Sequence, residues 1–236
     1  MKKFSSKLSA LVFGALMALG MIGVSSATAE AAPIVTQIGP TGCVNGTCQG
    51  GIYTLSADFV STNGTYDMYN IAFTVDTTSY TGGATYITAV GVKVSPQLVS
   101  ATQGSVPTSV GGVFATEPGG VSNSGTGCSG SGGGFICSGV NAPGGSGMGA
   151  LVSNVTNTWN WQIVIDHGSL FPNLDGSSIK AHYANWDSRE SDLVKVGALV
   201  SEDMPPGGMV PEPTTYLLTG FGLVLLGIIW RYRTSA

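Results

Sequence analysis

Tyr69-Asn70-Ile71-Ala72-Phe73-Thr74-Val75 decides the fold class, because its large apolar side chains fall on every second residue. Successive side chains of a strand point to opposite faces, so Tyr69, Ile71, Phe73 and Val75 form one buried face and Asn70, Ala72 and Thr74 the other. The same alternation runs outward in both directions. Tyr53, Leu55, Ala57 and Phe59 precede it, and Tyr86, Val90, Val92 and Val94 follow, with Lys93 facing out. Trp159, Trp161, Ile163 and Ile165 repeat it, then Ile179, Ala181 and Tyr183, and Leu193 to Val200 reads as the last strand. Asn63-Gly64, Gly82-Gly83, Ser95-Pro96, Pro118-Gly119-Gly120 and Asp175-Gly176 supply turns between or beside these runs. Short strands at this spacing, without an amphipathic helix among them, predict an all-β domain: an antiparallel β-sandwich, jelly-roll-like, with a Gly-rich loop. No fixed repeat period supports a β-solenoid.

The ends read as targeting segments. Lys2, Lys3 and Lys7 precede an apolar run from Leu8 to Val24, and small residues at Ala27, Ala29 and Ala31 follow. These are the three parts of a secretory signal peptide over residues 1–31, with the mature chain starting at Glu30 or Ala32. At the other end, residues 204–213 are rich in Pro and Gly and read as a linker. Tyr216 to Trp230 is uncharged and apolar, and Arg231 and Arg233 close it. As a helix these fifteen residues extend roughly 22 Å, short of a hydrocarbon core of about 30 Å. Residues 214–236 are therefore expected to form a single, marginal transmembrane helix with its arginines on the cytoplasmic side of the inner membrane.

Val210-Pro211-Glu212-Pro213, the glycine-containing apolar stretch after it and the terminal arginines resemble a PEP-CTERM sorting tail. The resemblance implies a protein exported by a Gram-negative bacterium that makes extracellular polysaccharide. It also implies a processing partner, exosortase, which cuts near the Pro-Glu-Pro motif. The tail says nothing about the activity of the domain that it sorts. The stretch from Tyr66 to Val94 looks, more loosely, like the bodies of other such surface proteins.

Without both ends, residues 32–210 hold four basic residues (Lys93, Lys180, Arg189 and Lys195) against eleven acidic ones, a formal charge of −7. A nucleic-acid partner needs clustered Lys and Arg and is excluded by this balance. Residues 32–203 are long enough for one buried domain. Glycine numbers 36, roughly twice the usual share, and concentrates in residues 118–149. Cys43, Cys48, Cys128 and Cys137 fit an oxidising compartment. Pairing of near neighbours is favoured, since each pair frames turn-forming residues, while a four-thiolate zinc site would lack the usual two-residue spacing.

Asp166 to Asp192 holds most of the ionisable groups of the domain. Asp187, Glu190 and Asp192 could share a calcium ion, with Asp175 beside Asn173 as a second grouping, since Ca²⁺ takes six to eight oxygens. Trp186, flanked by Asn185 and Asp187 and near Tyr183, could form an aromatic platform for a sugar. Asp166 and Asp187, assisted by His167, could serve a glycan hydrolase as a carboxylate pair. Against these stands a solvated edge of charges. The sequence predicts a non-enzymatic surface or matrix-associated protein without a cofactor. A carbohydrate-binding module is the alternative and a secreted glycan hydrolase the third reading.

Overall fold

The computed structural model describes residues 32–43, 48–121, 128, 133–141, 148–187, 192–194 and 199–209. The chain divides into the units Met1–Ala31 and Ala32–Ala236, and all described residues belong to the second. Strands β1 (Ile34–Ile38), β2 (Ile52–Thr62), β3 (Tyr66–Asp76), β4 (Tyr86–Lys93) and β5 (Leu98–Gln103) come first. Then follow β6 (Ser109–Val110), β7 (Val113–Pro118), β8 (Phe135–Asn141), β9 (Gly149–Leu151) and β10 (Thr156–Asp166). The last are β11 (Ser178–Asp187), β12 (Asp192–Val194), β13 (Leu199–Asp203) and β14 (Gly208–Met209).

Every pairing is antiparallel. One sheet has the order β14-β1-β2-β3-β10-β5. The other has the order β12-β11-β4-β8-β7, with β13 on β11, β9 on β4 and β6 on β9. Tyr53, Leu55, Phe73, Trp159 and Trp161 from the first sheet share one buried cluster with Val90, Ile136, Ile179 and Tyr183 from the second. Each fully buried Leu, Ile or Phe of this cluster contributes about 1.5–3 kcal/mol through removal from water. The alternation that the sequence displays therefore faces inward from both sheets.

Two of the chain's crossings between sheets share one corner. There the β3–β4 connection runs beside the β9–β10 connection. Thr77 donates its amide and its hydroxyl to Val155 O at 3.0 and 2.7 Å, and the Val152 amide donates to Thr85 O at 3.0 Å. These bonds satisfy backbone groups that the crossover takes out of the ladders. At the opposite edge, Trp161 Nε1 donates to Ser138 Oγ at 2.9 Å and to Thr116 Oγ1 at 3.0 Å. Thr116 in turn donates to Gln103 Oε1 at 2.8 Å, and Gln103 Nε2 donates to Phe114 O at 2.9 Å. This network ties β10 and β5 of one sheet to β7 and β8 of the other.

Several details depart from the sequence reading. The β4–β11 register shifts between His182 and Tyr183, so Thr88 is an extra residue and Ile87, not Tyr86, joins the core. A second shift, between Phe59 and Ser61, leaves Phe59 half-buried, edge-on to Tyr69 at 5.5 Å. The Gly-rich segment 118–149 contains β8, a buried strand between β4 and β7. The expected last strand is two short ones, β12 and β13, both on β11. Finally, residues 204–209 are no free linker. Met204 is buried in the core, the Gly207 amide donates to Asn173 O at 2.6 Å, and β14 pairs Val35↔Gly208 and Ile34↔Met209.

Candidate functional site

The acidic stretch does not converge on one place. The Phe171 amide donates to Val94 O, and Ser178 faces Lys93, so Asp166 and Asp175 belong to the end where β11 begins. Asp187 lies nine residues beyond Ser178 on β11, about 30 Å further along the strand. A hydrolytic carboxylate pair needs about 5–10 Å, so Asp166 and Asp187 do not form one. Asp175 is likewise remote from Asp187. The strand register does set Asp187 opposite Asp192, and Trp186 opposite Leu193. Glu190 and Arg189 lie outside the described residues, as do the sorting residues Val210, Pro211, Glu212, Pro213, Arg231 and Arg233. Among the described residues no group of three or more His, Cys, Asp or Glu side chains is placed to hold a metal ion.

Two residues of the aromatic platform, Tyr183 and Asn185, are engaged within the domain. Tyr183 is fully buried and its hydroxyl lies 2.8 Å from that of Tyr53, while Tyr80 stacks on its ring at 5.0 Å. Burial pushes both the Tyr53 and Tyr183 phenols well above their ordinary value, with Tyr80 adding to the shift of each. Glu202, buried on β13, raises Tyr53 further. Asn185 is committed to the 83–85 loop, accepting from the Thr85 amide at 2.7 Å and donating to Gly83 O at 3.0 Å. Beside this cluster a cavity of about 310 Å³ opens at the crossover corner, lined by Thr77, Tyr80, Thr85, Val152 and Asn154.

A histidine–carboxylate pair was half visible in the sequence. His167 Nδ1 lies 2.8 Å from Asp67 Oδ1, and the Gly168 amide donates to Asp67 Oδ2 at 2.8 Å. Burial pushes the Asp67 carboxyl up, but bonds from Gly168, His167 and Thr62 outweigh that and hold it below its ordinary value. The ionised carboxylate accepts, so Nδ1 of the exposed His167 ring carries the proton of this bond. The signal for Asp67 was its inward phase: it shares the face of Tyr69 and Ile71 and is only 4% exposed. The other histidine, His182, is 3% exposed and lies 2.6 Å from Thr88 Oγ1 at the bulge. The first pair fastens the β2–β3 hairpin to the end of β10, where the His167 amide also donates to Thr65 O at 2.9 Å.

Both disulfides join sequence neighbours, Cys43–Cys48 and Cys128–Cys137. Cys128 and Cys137 pack with Ala89, Val121 and Leu199 in a second cluster, on the face of β4 and β8 away from the main core. Gly91 belongs to the same surface, since a Cβ there would come within 3.0 Å of Val121 Cγ2.

The first sheet shows the opposite character on its outer face. Gln37, Thr54, Thr74 and Thr158 stand in one row across four strands. Asp58, Asn70, Gln162 and Thr102 stand in another, with Ser56, Ala72 and Asn160 between them. None of its six strands contains Lys or Arg. Lys93 and Lys180 lie on β4 and β11 of the other sheet, and Arg189 and Lys195 follow β11 and β12 in the chain.

Comparison with known proteins adds one match. The family model of the PEP-CTERM protein-sorting motif covers residues 210–233, beginning at the residue after β14. No curated protein and no solved structure matches the chain. The motif supports export and sorting by exosortase, in agreement with the resemblance of the tail.

Proposed function

We propose that this exported, exosortase-sorted protein is a non-enzymatic surface or extracellular-matrix-associated structural and interaction protein. The observation that carries the reading is the position of the sorting motif. It starts at residue 210, directly after a strand that is hydrogen-bonded into the domain. The domain is therefore presented at the processing step as folded cargo. Residues 1–31 act as a removable signal peptide, and residues 214–236 as a transient span of the inner membrane. The two sheets act as a jelly-roll-like sandwich, a rigid body for display. Fractionation of cells expressing the full chain or a chain ending at Met209, with and without exosortase, tests the proposal. The full chain should reach the surface or medium as a shortened form only when exosortase is present. Identical distributions of the two chains would overturn it.

A second reading, a carbohydrate-binding module, is favoured by the outer face of the first sheet. Its rows of hydroxyls and amides suit hydroxylated ligands, since each group both donates and accepts.

A further inference from the structure

The outer face of the first sheet has three properties in combination. It is regular: β3 and β10 pair over eleven residues, Asp76–Tyr66 against Thr156–Asp166, without a register shift. Strands there stand about 4.8 Å apart, with side chains on one face about 6.7 Å apart along each strand. It is nearly uncharged. Asp76 and Asp166 end their strands, Asp67 is buried, and Asp58 is the single carboxylate within the rows.

It is also preorganised. Thr74 and Thr158 hydroxyls lie 2.9 Å apart, and Gln162 Nε2 donates to Asn70 Oδ1 at 3.4 Å. Gln37 Nε2 donates to Thr54 Oγ1 at 3.3 Å, and Asn160 Nδ2 donates to Ser105 Oγ at 2.7 Å. Side chains already held across strands lose less freedom on binding.

We infer that this face is the binding surface for a neutral polysaccharide chain, an assignment that rests on the carbohydrate-binding reading and gives it a site. Charge selects the ligand class. A polyanion would meet a domain of net charge −7 through a sheet with no cation. A polycation would need several carboxylates where one stands. A protein partner would need a desolvated centre rich in aromatic, Met or Arg side chains; the rows through Thr74, Ala72 and Asn70 hold none, and the apolar side chains of the face, Val35, Met68 and Val164, stand at their margins. A neutral hydroxylated polymer demands only groups that exchange water hydrogen bonds for sugar ones. Removing hydroxyls and amides from water costs far less than removing ions. The corner cavity beside Tyr80 is separate from this face and serves as the control position.

The test is affinity electrophoresis of the full chain in gels containing galactomannan, mixed-linkage glucan or dextran, with alginate as the charged comparison. At least one neutral gel should retard the wild type. The pair Asn70→Ala and Gln162→Ala, and separately Asn70→Lys, should weaken that retardation about tenfold, the equivalent of roughly 1.4 kcal/mol. Asn154→Ala, in the cavity wall, should leave it unchanged. Circular dichroism melts report whether each variant is folded. Undiminished retardation of both folded face variants would overturn the assignment of the face while leaving carbohydrate binding in place. A wild type retarded by no neutral polymer, or by alginate alone, would overturn the assignment and the carbohydrate-binding reading together.

Discussion

Removing the hydroxyls of Thr116 and Ser138 together should cost more than the sum of removing each. Both accept from Trp161 Nε1, whose side chain is 1% exposed, so either one alone still gives that N–H a partner. Ser138→Ala loses its bonds to Trp161 and Thr116, and Thr116→Val loses those to Trp161, Ser138 and Gln103, at about 1 kcal/mol for each bond. The double variant strands a buried indole N–H, which adds its desolvation penalty of about 1–3 kcal/mol. The Thr116–Ser138 bond is lost in either single variant and counts once in the double, which therefore costs about 6 kcal/mol where additivity gives about 5 kcal/mol, a coupling above the scatter of independent sites. Urea unfolding of the full chain, followed by far-ultraviolet circular dichroism, reads all four corners of the cycle. On heating, the double variant should melt roughly 12–24 °C lower, at about 2–4 °C per kcal/mol for a domain of this size. Coupling below about 0.5 kcal/mol would refute the claim that Trp161 depends on these two hydroxyls.

Asp67→Asn should destabilise the domain by about 1–3 kcal/mol at neutral pH, since it removes charge-assisted bonds from a buried site. The Asp67 pKa is depressed in the folded state, so its contribution is complete above the ordinary carboxylate value and disappears as pH falls through the folded one. Wild type and variant should therefore converge below about pH 4, and parallel curves down to low pH would count against the pair. Tyr53→Phe leaves the Tyr183 hydroxyl without its 2.8 Å partner and should cost about 1–3 kcal/mol in chemical denaturation. Because burial raises both phenols, the unfolded state loses protons first and stability must fall above about pH 10. Ultraviolet phenolate absorbance from these two residues should appear only with unfolding. Gly207→Ala would set a Cβ 2.7 Å from Val35 O and 2.9 Å from Asn173 O, both backbone atoms. It should loosen β14, which faster amide exchange at Ile34 and Met209 would register; unchanged exchange there would contradict the close approach.

The sequence disclosed those parts of the fold in which period two runs unbroken. Leu55, Phe73, Trp159 and Trp161 alternate with polar neighbours and are buried, as their phase requires. The phase fails at Thr88 and beyond Phe59, because a bulge adds one residue to one strand and composition does not mark where. Strand β8 escaped notice because its identity depends on neighbours. Phe135 to Asn141 is short and flanked by Gly and Ser, and only pairing between β4 and β7 makes it central. The candidate site was less legible still. Asp67 and His167 are 100 residues apart in the chain, whereas Asp166, Asp175 and Asp187 are near in sequence and spread by one long strand. Proximity along an extended chain is a poor guide to proximity in space, since nine residues of strand cover about 30 Å.

The pairing of Ile34 with Met209 has a mechanical consequence. Facing residues of an antiparallel ladder are about 5 Å apart, so the domain starts and finishes at one spot on one sheet edge. A pull applied at the C-terminal end of the domain reaches the two-residue β14 ladder first. The next resistances are the bonds of Gly207 to Asn173 O and of Pro205 O to Thr36, then Met204, seated in the core, and only then β13, held to β11 over five register positions. The long central ladders lie outside that line of force. The chain therefore leaves the domain through its shortest ladder, and a load at that exit peels β14 before it reaches the body.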